Sequence, residues 1–269
     1  MSQQRKFGLI VVGDEILSGR RQDAHFSKVI ELLGKRGLQL SWAHFVPDDF
    51  DALVQEYQRS FASGDIVFSS GGIGSTPDDK TRDAVAHALE LPLQLHPEAA
   101  ELITQRTLKM AEKGVYSSDM GTPENQRRLA MGLFPQGAEI VPNAYNQIPG
   151  FFIKDHTFVP GFPEMAWSMI EWVLDTHYAY LHNTQIEQSQ SVFVYNLPES
   201  RITATLEFIE NKWPSVKTFS LPTVERNGQP PYIDLGVKGA DQQALQEAFD
   251  HLKEAVLRLG GHFMDKLDN

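Results

Sequence analysis

Apolar residues fall along the chain in two alternating rhythms. Phe7–Val12 is an apolar run broken only by Gly8, the pattern of a strand buried on both faces of a parallel sheet. Over 23–35, Phe26, Val29, Ile30 and Leu33 recur at helical spacing, with Gly37 as the stop. Residues 38–46 predict a second strand. Asp48 or Asp49 then caps a helix over 50–61. Ile66, Val67 and Phe68 form a third short strand, and Ala84, Val85, Ala88 and Leu89 mark the helix after it. This alternation predicts a three-layer α/β fold, a doubly wound and mostly parallel sheet with right-handed crossovers.

Beyond it, 91–95 reads as an extended link, 98–113 as a helix of mixed polarity and 115–121 as a mobile lid or insertion. Strands follow at 138–141, 147–153 and from 157, then a helix over 166–179. The polar stretch 182–191 marks a boundary. It separates an α/β domain, 1–180, from a smaller one, 181–269. In the latter, strands at 191–195, 216–221 and 232–238 flank the Asn227-Gly228 turn, with helices at 199–212 and 241–259. That β–α–β–β–α pattern predicts a small α+β domain of ferredoxin-like type. It carries no cluster of acids, histidines or glycines, as a docking or dimerisation module would.

Composition narrows the function. Net charge is −11 over 269 residues, with 41% hydrophobic and 22% charged residues, a globular balance. The acidic excess argues against a nucleic-acid partner. It leaves room for a small anion, because local N–H groups offset the global field. The absence of cysteine excludes disulfides, thiolate catalysis and cysteine-based zinc sites. There is no apolar signal region and no apolar run near 18 residues, so a cytoplasmic protein without membrane contact is expected.

The chemistry concentrates after the third strand, in Ser70-Gly71-Gly72-Ile73-Gly74-Ser75-Thr76-Pro77-Asp78-Asp79. Gly71, Gly72 and Gly74 permit close backbone approach to a ligand. Ser75, Thr76 and N–H groups near a helix start suit an anion, and Asp78 with Asp79 suits a hard divalent cation beside phosphate. Asp79 before Lys80-Thr81 departs from a P-loop, and Pro77 departs from the dinucleotide fingerprint. The plainer alternative is a connector whose aspartate caps the next helix. Two further acidic loops, Asp14-Glu15 and Asp48-Asp49, follow the first two strands. Loops at the carboxyl ends of parallel strands meet on one edge, so all three can surround one ligand. Arg127 or Arg128 could grip a phosphate, and the 160–163 loop opens another helix start.

In order along 7–175, Gly13-Asp14-Glu15-Ile16-Leu17-Ser18-Gly19, the glycine loop, Asn125-Gln126-Arg127, Pro149-Gly150-Phe151 and Pro160-Gly161-Phe162-Pro163-Glu164-Met165 resemble the N-terminal domain of the competence/damage-inducible protein A (CinA) family. That resemblance implies the MoaB/MogA-like molybdopterin-binding fold. It also implies metal-dependent hydrolysis of the ADP-ribose pyrophosphate, with Mg or Co, and with K+ as a further ion. On it, Asp78, Asp79 and Glu15 are the expected catalytic residues, and Asp78, Asp79 and Asp14 the metal ligands. The expected substrate contacts are Gly13, Asp14, Ser18, Gly19, His25, Asp48, Gly71, Gly72, Gly74, Ser75, Thr76, Asn125, Arg127, Gly161 and Pro163. A nucleotide or pterin is the expected partner, and a homodimer or higher homo-oligomer the expected assembly. Longer members add a nicotinamide mononucleotide deamidase domain; with the chain ending at Asn269, that activity is not expected. Ser75 stands where the family has proline and His25 where it has asparagine. A non-catalytic pterin or nucleotide carrier and a regulatory scaffold are the alternatives.

Overall fold

The computed structural model describes residues 5–183, 188–224 and 230–264. It divides into two compact units, Met1–His182 and Asn183–Asn269. No helix among the described residues is long and apolar enough to cross a membrane.

In the first unit, β1 (Phe7–Val12) leads into a single turn, α1 (Asp14–Leu17), and α2 (His25–Gly34). Then β2 (Leu40–Val46) leads into α3 (Phe50–Ser63), and β3 (Ile66–Ser70) into α4 (Thr81–Ala88). An excursion follows: β4 (Leu93–Leu95), α5 (Pro97–Glu112), α6 (Pro123–Ala130) and β5 (Leu133–Pro135). The unit closes with β6 (Glu139–Val141), β7 (Gly150–Ile153), β8 (His156–Val159) and α7 (Pro163–His177). The main sheet runs β2-β1-β3-β8-β7-β6. Its first four strands are parallel, and β7 is antiparallel to both neighbours.

Side chains alternate between two cores, as a pleated strand requires. Leu9, Val11, Phe68 and Val159 pack with Val29, Leu32 and Leu33 of α2 and Met169, Ile170 and Val173 of α7. On the other face Ile10, Val12, Val67 and Phe158 pack with Leu53 and Tyr57 of α3 and Ala84 and Val85 of α4. This is the expected three-layer arrangement.

Three local expectations change. The buried stripe of α2 is His25, Val29, Leu32 and Leu33, leaving Phe26 and Ile30 41% and 45% exposed. The helix is apolar over much of its circumference, so its period does not fix its phase. Residues 91–95 are no mere link: Leu93–Leu95 pairs with Leu133–Pro135 as a separate antiparallel ribbon. The 115–121 segment is tied down rather than free. Asn125 Nδ2 donates to the carbonyls of Ser117 and Asp119, both at 2.8 Å.

The second unit comprises β9 (Gln188–Tyr195), α8 (Glu199–Lys212), β10 (Val216–Pro222), β11 (Ile233–Gly239), α9 (Gln242–Arg258) and β12 (His262–Met264). Its antiparallel sheet runs β10-β11-β9-β12, the ferredoxin-like β–α–β–β–α–β plan. The three-residue β12, too short to read from periodicity, completes it by pairing with β9. Val194, Leu235 and Val237 bury against Ile202, Ile209, Leu245 and Leu252 of the two helices. The Asn227-Gly228 turn lies outside the described residues.

Candidate functional site

Because β2, β1, β3 and β8 are parallel neighbours, the segments leaving their carboxyl ends emerge side by side. Adjacent loops are bonded together. Gly13 N–H donates to Val46 O (3.1 Å). Asp14 N–H donates to Asp48 Oδ2 (2.8 Å), and Asp48 N–H to Asp14 Oδ1 (3.3 Å). Lys80 Nζ donates to Asp48 O (2.9 Å). Asp48 is held above the usual carboxylate range, first by burial and then by the charges of Asp14, Glu15 and Asp78, while the Asp14 N–H pulls the other way. The three acidic loops therefore share one electrostatic neighbourhood. Asp14 and Asp78 are exposed. Glu15 folds back over Gly13, where a Cβ would come within 2.6 Å of its Oε2. Ser18 and Gly19, just beyond α1, are exposed.

The glycine turn is built by close approach. Gly71 has φ 101°, and a Cβ there would meet Val12 O at 2.3 Å; one at Gly72 would meet Thr81 Oγ1 at 2.3 Å. Thr81 locks the turn to α4, its N–H donating to Gly72 O (3.0 Å) and its hydroxyl to Gly71 O (3.1 Å). Asp79 does not face outward. Its Oδ1 accepts from Gly74 N–H (2.7 Å), and its Oδ2 from Thr76 N–H (2.8 Å) and Thr76 Oγ1 (2.6 Å). The loop thus carries its own anion: a carboxylate occupies amides that the sequence offered to a phosphate. Ser75 and Thr76 are exposed.

At the third edge, Gly71 N–H donates to Val159 O (3.0 Å), and a Cβ on Gly161 would lie 3.5 Å from Gly71 Cα. Pro163 opens α7. His25 is only 4% exposed, and its Nε2 lies 3.2 Å from Gly161 O. Asp23 fixes the ring's backbone, accepting from the N–H groups of His25 (3.0 Å) and Phe26 (2.9 Å).

Two expected contacts are engaged elsewhere. Asn125 is fully buried. Besides its two loop bonds, its Oδ1 accepts from Arg128 Nη1 (2.6 Å). Arg127 is exposed and pairs within its helix with Glu124 at 3.5 Å. Their described bonds serve α6 and the segment before it, not the three-loop edge.

Two residues were missed. Lys80 places a cation against the Asp48 backbone, as described. Arg82 is buried and donates to the carbonyls of Ile73 and, at 2.7 Å, Gly74. Burial pulls its guanidinium below the ordinary arginine value, opposed by Asp79 and Asp83. The available signal was its position. A cation in a helix's first turn gains nothing from the dipole, so it needs another reason to be there.

As a metal centre the residues do not fit in this arrangement. Asp79 spends three of its roughly four acceptor positions on its own loop, and among the described residues no three histidine, aspartate or glutamate side chains are grouped to hold an ion.

Comparison with known proteins agrees with this architecture. Residues 8–179 match the family model described as a probable molybdopterin binding domain. A CinA-like protein of Desulforapulum autotrophicum is 30% identical over 222 residues, 79% of this chain and 50% of its own length. A protein of Caldivirga maquilingensis is 27% identical over 266 residues, covering 93% of this chain and 94% of that one. The solved structure of CinA from Thermoplasma acidophilum aligns with a TM-score of 0.54 at 24% identity, over 64% of this chain and 98% of that chain. The chain spans about half the length of the CinA-like relatives it matches.

Proposed function

Because the chain belongs to the family of probable molybdopterin binding domains, we propose that its carboxyl sheet edge binds a phosphorylated pterin or nucleotide. One observation carries this reading: the exchanged bonds between Asp14 and Asp48, with Lys80 on the same backbone, draw the loops of β1, β2 and β3 together. The phosphate would lie against the glycine turn, on amides that Asp79 does not use, with Lys80 as the nearby cation. Arg82 holds the Ile73 and Gly74 carbonyls inward. That leaves the outer side of the turn for the ligand.

The finer proposal is hydrolysis of a nucleotide-sugar diphosphate, with ADP-ribose as the test compound. The raised pKa of Asp48, crowded by Asp14, Glu15 and Asp78, favours it, since a carboxylate poised toward protonation suits acid–base work. Water would add to phosphorus and lose its proton to a carboxylate of this group. The P–O bond to the leaving phosphate would break, yielding AMP and ribose 5-phosphate. A divalent ion enters this proposal only as one carried in with the diphosphate, where the exposed carboxylates of Asp14 and Asp78 would be free to meet it.

Calorimetric titration with ADP-ribose, a pterin and inorganic diphosphate tests the binding reading. Incubation of ADP-ribose with and without Mg²⁺ or Co²⁺, followed for AMP, tests the hydrolysis. Binding without AMP identifies a carrier. Absence of binding by all three compounds rejects the site and leaves a scaffold.

A further inference from the structure

The third edge of the site contains a feature that phosphate recognition does not explain. A pocket of about 290 Å³ lies between the chain after α1 and the start of α7, lined in part by Ile16, Arg21, His25, Gly161, Phe162 and Glu164. Its charged groups are one of each sign, and Arg21 is drawn over the Phe162 ring, 5.8 Å from the centroid. Balanced charge with Ile16 and Phe162 as apolar walls does not select an anion. The volume suits a single ring system, since pockets for whole drug-sized ligands run from about 300 to 1,000 Å³.

The His25 ring specifies more. Its Nε2 faces a carbonyl, that of Gly161, at 3.2 Å. A carbonyl only accepts, so Nε2 carries the proton, and in the tautomer with a single ring proton Nδ1 presents a lone pair. That Nδ1 is buried with no hydrogen-bond partner. A buried acceptor without a donor is costly, and a ligand that supplies one removes the cost.

We propose that this pocket takes an uncharged ring bearing an O–H or N–H donor, ribose or a fused heterocycle, and that His25 Nδ1 accepts from it. The inference rests on the phosphorylated-ligand reading above and assigns that ligand's two ends. The phosphate belongs to the glycine turn. The ring belongs between His25 and Phe162, the next loop along the sheet edge. The esterified diphosphate of such a ligand is fully ionised near neutral pH, has no donor to offer and gains nothing from Nδ1.

The test uses the full chain and three probes: ADP-ribose for ribose hydroxyls, neopterin for ring N–H groups, and inorganic diphosphate. At least one ring-bearing probe is expected to bind the wild type. His25→Ala should weaken it about tenfold, the scale of one lost hydrogen bond, while diphosphate affinity changes less than twofold. His25→Asn, whose amide oxygen can accept, should recover part of the loss and serves if the alanine variant fails to fold. In ¹⁵N-histidine spectra, the His25 Nδ1 resonance should move from the free-acceptor region when the ring-bearing probe is added, and stay put with diphosphate. Equal weakening of every probe by His25→Ala, or an unmoved Nδ1 resonance at saturation, would overturn the assignment and leave His25 as a brace for the 161–163 loop. Binding of diphosphate without either ring-bearing probe removes this inference alone. Binding of none removes the phosphate reading with it.

Discussion

Replacing Asp79 by asparagine separates two roles for the same carboxylate. In the structure it accepts three hydrogen bonds from its own loop, from Gly74 N–H, Thr76 N–H and Thr76 Oγ1, at 2.7, 2.8 and 2.6 Å. An asparagine keeps one oxygen and turns an NH₂ toward a donor. If the oxygen stays with Thr76, Gly74 N–H loses its acceptor; if it stays with Gly74, Thr76 loses both bonds. Hydrogen bonds to a charged group are worth about 1.5–3 kcal/mol and neutral ones about 0.5–1.5. The expected cost is about 2 kcal/mol, at the low end because Thr76 is exposed. At about 2–4 °C per kcal/mol for a unit of this size, the melting temperature should fall by roughly 4–8 °C. Hydrogen exchange at Gly74 and Thr76 should accelerate. Asp78→Asn, at an exposed carboxylate in the same turn, should leave the melting temperature within about 1 °C, as for most surface changes. If Asp79→Asn keeps its melting temperature and its Gly74 and Thr76 protection but loses ligand binding, the tether argument is refuted and the carboxylate faces the ligand.

Three other expectations are independent of ligand identity. Asp48 has a folded pKa above its ordinary value, so its ionisation works against folding and stability falls as pH rises through that pKa. Asp48→Asn, which keeps an acceptor for Asp14 N–H, should therefore melt higher than wild type at pH 7, with the difference closing below the unfolded carboxylate range in a pH series of melts. Burial pushes the His156 pKa down to about 4, so the unfolded chain takes up a proton that the folded one refuses. Stability should drop by about 3 kcal/mol as pH falls from 6.5 to 4, a component that urea titrations of His156→Gln should lack. Gly71→Ala forces a Cβ to 2.3 Å from Val12 O at φ 101° and should cost more than about 2 kcal/mol. Gly19→Ala, at φ 72° with nothing within 4 Å, should cost about 1 kcal/mol. Equal costs in denaturant melts would contradict the close-approach account.

What could be read from the residues follows from how each is constrained. β1 and β3 are covered on both faces, so their apolar runs declare them, and parallel order alone implies that Asp14, Asp48 and Asp78 share an edge. The direction of Asp79 had no such signature, because it depends on three donors that meet only once the turn closes. Arg82 was passed over because nothing in composition separates an arginine bound to inward carbonyls from one in water. The phase of α2 was lost because Phe26 and Ile30 are as apolar as the residues that turn inward. β12 was lost because three residues carry no period; only its pairing with β9 makes it a strand.

The place of β8 has one more consequence. It is a central strand, wedged between β3 and β7, yet it is synthesised long after β3. Until residues 156–159 arrive, β3 presents a bare row of amides and carbonyls to any passing chain, the template that aggregation uses. A nascent or truncated chain stopping short of His156 would be sticky, and the same late insertion that seals this seam also brings Gly161 against Gly71 of the glycine turn.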